Sequence, residues 1–278
     1  MRTTSTSTDL VREPSELALD RASKAVRRAR TNAQIRLTFI ARTQPEDPTP
    51  PLASMLRGGR GGHVRLKLYL SFLWMQTRDY GVPLAYPAQL WAQLLDLPQP
   101  ETAGARRIHQ AQAWLERRKF ITVEAQPGHP NRVTVLDETG NGRSYVTPGA
   151  AVNALRQKPE ASRHRYVQVP SSLWTNGYMA SLSGAGVALF LVLLAQRDVR
   201  TPFEDLRPIW VSPSVLKARY GLSDDTRTKG IRDLRDHGLV TVSRQVVNPE
   251  DFDLERVRNV YTIHAAALEY RARVPASY

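Results

Sequence analysis

The chain has 278 residues, 41% of them hydrophobic, and a formal net charge of +13 at pH 7. It has no cysteine, which excludes disulfides and thiolate metal sites and is typical of a reducing cytoplasm. A polar beginning and apolar runs too short to cross a bilayer predict a cytoplasmic protein without membrane association, and the positive charge predicts a polyanionic partner such as nucleic acid.

Residues 1–62 are expected to form a basic, partly disordered arm with one helix. Small apolar residues recur at helical spacing over residues 15–31, and residues 21–42 contain seven basic side chains and no acidic one. The glycine-rich stretch 58–62 lacks the Lys-Ser/Thr ending of a phosphate-binding loop, so we interpret it as a linker. The arm cations expected to contact DNA are Arg27, Arg28 and Arg30.

Two domains of the same kind are predicted to follow the arm. Each has a strongly apolar helix, over residues 64–77 in the first domain and 186–196 in the second, and such helices are buried on most sides. A segment rich in Gly, Pro and Asn separates the domains. The predicted organisation is an arm at 1–62, domain 1 at 63–138, a linker at 139–165, domain 2 at 166–270 and a tail at 271–278.

A short pattern occurs once in each domain, at residues 86–123 and again at residues 212–242. In both copies a short helix, a tight turn and a longer helix lead into a strand that opens with an apolar pair. This order is typical of a helix-turn-helix followed by a β-hairpin wing. The predicted fold is therefore α+β and mainly helical, with two tandem winged helix-turn-helix domains and a basic N-terminal arm.

In the first copy, the longer helix is expected to bury a stripe formed by Ile108, Ala111 and Leu115, with Phe120 closing its end. The opposite face is strongly basic, as a helix that enters a DNA groove requires. The side chains expected to face DNA are Arg106, Arg107, His109, Gln110, Arg117, Arg118 and Lys119 on the helix, and His129, Asn131 and Arg132 at the wing tip.

In the second copy, Ser223 is the expected N-cap of the longer helix, and Ile231 and Leu234 are expected to face the core. The second wing is longer than the first, and its tip carries several acidic side chains at 250–255. The residues expected to face DNA in this copy are Thr226, Thr228, Lys229 and Arg232.

The balance of charge predicts that the two copies are unequal. Residues 101–120 carry five basic and two acidic side chains, whereas residues 224–240 carry four of each. Because attraction to phosphates dominates the affinity for DNA, the first domain should bind DNA more strongly. The acidic tip of the second wing is expected to face protein or solvent.

Both domains resemble winged helix-turn-helix domains of bacterial regulators, most clearly over residues 222–240. Two such domains on one chain resemble plasmid replication initiators, in which one copy helps to dimerise and both grip repeated sites; plasmid partition and transfer regulators share the fold. The chain shows no initiator-specific motif. The resemblance implies a homodimer that binds double-stranded DNA at the nucleoid, with a replication or partition protein as a further partner.

Three functions remain open at this stage. The first is sequence-specific binding of double-stranded DNA in transcription regulation or plasmid maintenance, including replication initiation. The second is non-specific, nucleoid-type architectural binding, and the third is recruitment of a protein partner by domain 2. No metal site, cofactor or enzymatic activity is expected, because the six histidines lack ligand spacing and no catalytic constellation is present.

Overall fold

The computed structural model describes residues 13–29, 32–59, 61–76, 80–156, 158–197, 207–246 and 257–273. Within these ranges the fold is α+β, with many helices and three small antiparallel sheets. The predicted α+β class is confirmed at this level.

The helices and strands have the following bounds. The helices are α1 Glu16–Ala25, α2 Leu37–Ile40, α3 Pro51–Leu56, α4 Gly62–Gln76, α5 Ala88–Leu94, α6 Ala105–Arg117, α7 Pro148–Ala154, α8 Ser172–Thr175, α9 Tyr178–Ser181, α10 Gly184–Gln196, α11 Pro213–Tyr220 and α12 Asp224–Asp236. The strands are β1 Asn32–Arg36, β2 Leu84–Ala85, β3 Ile121–Glu124, β4 Arg132–Val135, β5 Tyr166–Pro170, β6 Val240–Val246 and β7 Val257–Ile263.

One order of elements occurs twice along the described chain. A strand, two short helices and a long apolar helix come first, as β1-α2-α3-α4 and again as β5-α8-α9-α10. Two further helices and a hairpin follow, as α5-α6-β3-β4 and α11-α12-β6-β7. The last strand of each hairpin also pairs with a short segment before those two helices, which is β2 in the first repeat and Ile209 in the second. The duplication therefore extends well beyond the pattern visible in the sequence.

The segment expected to be an arm supplies the beginning of the first repeat. Three helices, α1 to α3, and strand β1 lie within residues 13–59. Strand β1 pairs antiparallel with β5, and Gln34 lies opposite Gln168 at the centre of the ladder. Because β1 and β5 occupy equivalent places in the two repeats, their antiparallel pairing relates these two strands by an approximate local two-fold axis.

Helices α4 and α10 form the centre of the core, as their apolar sequences predict. Both bury side chains around nearly their whole circumference, and they pack against each other. The buried apolar residues of both repeats belong to one continuous cluster. Two stacked indoles strengthen the junction: Trp74 of α4 and Trp174 of α8 lie 4.8 Å apart between ring centroids. Each indole N–H donates to a serine of the other segment, at 3.0 Å in both cases.

A buried ion pair fixes β1 to the segment after the first hairpin. Arg36 and Glu138 are 2% and 0% exposed, and the Arg36 guanidinium donates to the Glu138 carboxylate. The backbone N–H of Arg36 donates to the same carboxylate at 3.0 Å, and the Arg36 Nη2 donates to the Val146 carbonyl at 2.6 Å. Burial and the nearby charge of Arg36 lower the pKa of His164, whose Nδ1 accepts from the Arg36 Nε at 3.2 Å. Residues 139–165, expected as a linker, are thus held by contacts to β1 and also contain α7.

The buried pair gives a test of the fold. Arg36→Met should lower the free energy of unfolding by about 3–5 kcal/mol, because the Glu138 carboxylate stays buried without an opposite charge. Combining it with Glu138→Leu should recover most of that loss, since neither charge then remains in the interior. Urea unfolding monitored by circular dichroism measures both variants.

The exposed pair of Lys24 with Asp20 provides the control. Lys24→Met should leave the unfolding midpoint nearly unchanged, because water screens a surface ion pair. A double variant no more stable than Arg36→Met alone would contradict the assigned role of the buried pair.

Candidate nucleic-acid interface

Helix α6 has one buried and one strongly basic face. Ile108, Ala111 and Leu115 are buried, and Phe120 covers the end of the helix, as the sequence predicts. A helix with this pattern lies on the core and turns its other side to solvent. The predicted site residues exposed on or just after this helix are Arg106, His109, Gln110, Arg117, Arg118 and Lys119.

Two of the cations on α6 and its end have contacts that the sequence did not reveal. Arg107 is half-buried, and its Nη2 lies 2.7 Å from Nε2 of His63 in the first turn of α4. The Arg118 guanidinium lies 5.4 Å from the ring centroid of Trp114, and that of Arg65 lies 4.7 Å from the same ring. Burial and the like charge of Arg118 lower the pKa of Arg65. The first turn of α4 therefore lies beside α6 and adds positive charge to its flank.

The first hairpin places its predicted site residues at its tip. His129 and Arg132 are exposed and Asn131 is half-buried. Further along β4, Val133 and Val135 are buried in the core. The carboxylate of Glu124 lies 3.9 Å from the Arg132 Nε on the exposed surface. Such a pair contributes little to stability, so the guanidinium can exchange this partner for a phosphate at little cost.

Helix α12 begins as the sequence predicts. Ser223 is its N-cap, and the Ser223 Oγ accepts from the Thr226 backbone N–H at 3.2 Å. Thr228, Lys229 and Arg232 are exposed and Thr226 is half-buried. Lys229 pairs with Asp225 at 3.0 Å, which offsets part of the positive charge of this helix.

The buried face of α12 contains a glycine and an aspartate in addition to the predicted apolar residues. Leu234 is buried, but Ile231 is only half-buried, and Gly230 and Asp233 take the remaining interior positions. Gly230 is required there because a Cβ atom would lie 2.7 Å from the Ala185 carbonyl oxygen of α10. Ile231 packs against the core cluster, as expected, but remains partly exposed, and the close approach of α12 to α10 places Gly230 against Ala185.

Asp233 is a buried polar residue that the sequence analysis missed. Its carboxylate accepts from the Ser183 backbone N–H at 2.6 Å, at the beginning of α10, and lies 3.2 Å from the Nδ1 of His237. Burial opposes ionisation of Asp233, but hydrogen bonds from His237 and Ser183 outweigh it and lower the pKa. The spacing of Asp233 and His237, four residues apart on one helix, was the available signal.

A cleft of about 370 Å³ lies between α6 and α12, the longer helices of the two repeated patterns. From the first repeat it is lined by His63, Lys67 and Arg107, and from the second by Lys229 and Arg232. Its acidic members are Asp96, Asp233 and Asp236. Cations on α6 and α12, about 120 residues apart in sequence, therefore border a single opening.

The remaining predicted site residues lie elsewhere or outside the described ranges. Arg27 and Arg28 are exposed just after α1, and the Arg28 guanidinium lies 5.9 Å from the centroid of Tyr86. Arg30 and the acidic tip of the second hairpin at 250–255 are outside the described residues.

Among the described residues, no group of three or more His, Cys, Asp or Glu side chains is placed to hold a metal ion. No helix within the described ranges has the length and apolar character needed to cross a membrane.

The comparisons with known proteins give no match: no protein-family model, no curated protein and no solved structure is similar to this chain.

The buried lysine of the cleft predicts a pH dependence of stability. Burial lowers the pKa of Lys67 to about 8, although the charges of Asp233 and Asp96 oppose the shift, and its Nζ donates to the Ala180 carbonyl at 3.1 Å. An unfolded lysine has a pKa near 10.4, so above pH 8 the unfolded chain binds more protons than the folded protein. Stability therefore rises with pH in this window.

We expect the wild type to gain about 2 kcal/mol relative to Lys67→Met between pH 7 and pH 9.5. Urea unfolding at several pH values measures the difference. Lys217→Met, which removes an exposed lysine, is the control and should run parallel to the wild type. A constant difference between wild type and Lys67→Met across this range would show that Lys67 is not perturbed as described.

Proposed function

We propose that this chain is a sequence-specific double-stranded DNA-binding protein built from two tandem winged helix-turn-helix units. The order of elements in each repeat supports this assignment. A helix is followed by a short strand or bridge, two helices and a hairpin, and the last strand of the hairpin pairs on one side with its hairpin partner and on the other with the short segment. The long helix of each unit, α6 or α12, is the proposed recognition helix. As with the tandem winged helices of plasmid replication initiators, we place its role in transcription regulation or plasmid maintenance, including replication initiation.

The single observation that carries the proposal is the shared cleft. Arg107 from α6 and Lys229 and Arg232 from α12 border one opening between the repeats, which Asp96, Asp233 and Asp236 also line. Cations from two separate helices on one opening suit a continuous polyanion, because each phosphate neutralised releases condensed counterions. The net charge of +13 adds long-range attraction for the same ligand.

The contacts also support an unequal division of labour between the helices. On α12, Arg227 and Lys229 lie against Asp224 and Asp225, at 3.4 Å and 3.0 Å. These carboxylates compete with DNA phosphates for the same cations. The α6 surface adds Arg106 and Arg117 to Arg107, so the first unit is proposed to supply most of the phosphate attraction.

Mutations in the two helices test this ranking. The double change Arg106→Ala and Arg107→Ala should weaken binding by about 1–3 kcal/mol and reduce the salt dependence of binding by about one counterion per lost phosphate contact. Arg232→Ala should cost less. Fluorescence anisotropy with a labelled duplex at several salt concentrations measures both. Arg156→Ala removes one exposed arginine outside both helices and is the control matched in charge to Arg232→Ala. A larger loss for Arg232→Ala would reverse the ranking.

Selection of bound duplexes from a random pool tests sequence specificity. Because β1 and β5 pair antiparallel at equivalent places in the repeats, we expect two half-sites in inverted orientation, one for each recognition helix. Selected duplexes with two half-sites would indicate that one chain binds, and duplexes with four would indicate that the expected homodimer binds. An unselective pool with uniform protection in footprinting would support the architectural alternative and contradict the proposal.

A further inference from the structure

A second surface lies on the N-terminal helix, where α1 runs antiparallel to α5. Ser15, at the beginning of α1, donates from its Oγ to Asp96, just after the end of α5, at 2.7 Å. Further along, the Arg21 Nε donates to the Gln93 Oε1 at 2.7 Å. These contacts hold the two helices side by side and leave a groove between them.

The groove encloses about 220 Å³. Its α1 side is formed by Arg21, Lys24, Ala25 and Arg28, whose spacing places them on one face of the helix and its continuation. Its floor is apolar and is formed by Met75, Leu90, Trp91 and Leu94. This lining contains no residue of α6 or α12, so the groove is distinct from the cleft that carries the proposed function.

The rim and floor call for different chemical groups. Three cations, Arg21, Lys24 and Arg28, border an apolar floor, and the neighbouring Asp20 is already engaged by Lys24 at 2.7 Å and by Arg21 at 3.4 Å. Trp91 is 3% exposed, and its indole Nε1 has no hydrogen-bond partner among the described residues.

We propose that the groove binds a short amphipathic helix of a partner protein, which inserts one or two aliphatic side chains and places acidic residues against the rim. An apolar groove between two neighbouring helices is a common binding site for an amphipathic helix. Charge complementarity with the rim selects the acidic partner. A DNA backbone would match the rim but has no aliphatic side chain to pack on the partly exposed Leu90 of the floor, so a protein segment fits better.

Three synthetic helical peptides provide the probe. The first alternates glutamate and aspartate with leucine at i, i+3 and i+4; the second replaces every acidic residue by lysine; the third replaces every leucine by alanine. Fluorescence anisotropy on the full chain should show that the first peptide binds at least tenfold more tightly than either of the others. Equal binding of the acidic and lysine peptides, or no binding of the first, would overturn the proposal.

Variants of the groove locate the binding. Lys24→Glu, which reverses one rim charge, and Leu90→Asn, which places an amide on the floor, should each weaken the acidic peptide at least fivefold. Thermal unfolding followed by circular dichroism checks that each variant is folded. If Lys24→Glu impairs folding, Lys24→Gln removes the charge without reversing it. Arg156→Glu is the matched reversal of an exposed charge outside the groove and should leave peptide binding unchanged.

Competition with DNA separates this proposal from the DNA-binding function. A short duplex should not displace the peptide, and Lys24→Glu should leave duplex affinity within twofold of the wild type. Displacement by the duplex, together with loss of duplex binding in Lys24→Glu, would assign the groove to DNA and overturn the partner proposal. If the chain binds the peptide but no DNA, only the proposed function fails.

Discussion

The rest of the molecule depends on the burial of two apolar helices, α4 and α10. Neither helix has a polar face, so neither can lie at a surface without exposing apolar area to water. Packed together, they merge both repeats into one continuous core. Helices α6 and α12 rest on them, and their orientations are therefore fixed relative to each other. The cleft bordered by Arg107 and Arg232 follows from this arrangement.

The elements that sequence reasoning found are those with strong local patterns. The spacing of Ile108, Ala111 and Leu115 predicted the buried face of α6, and Ser223 predicted the beginning of α12. Hairpins followed from apolar strands separated by polar turns. Each of these signals lies within a few residues of the feature it specifies, so one sequence is enough to identify it.

The parts that were missed depend on partners far apart in the chain. Strand β1 has an alternating pattern too short to recognise, and its role comes from pairing with β5 over 130 residues later. Arg36 is one of the seven basic residues counted in the expected arm, but it pairs with Glu138 in the interior. In the same way Asp233 belongs to the core because it caps α10 at Ser183. A polar residue is buried only where a partner satisfies its charge or hydrogen bonds, and the sequence does not show which residue that partner is.

For the proposed DNA-binding function, the antiparallel pairing of β1 with β5 changes how occupancy of DNA depends on the concentration of the chain. Two separate chains must first associate to present two recognition helices, so their occupancy rises with more than the first power of concentration. Here the junction is intramolecular, and its effective concentration is set by the connecting chain. Two helices are thus presented even by a single dilute molecule. Because the two repeats belong to one chain and need not have the same sequence, a mutation can change one without changing the other. The different charges of α6 and α12 illustrate this.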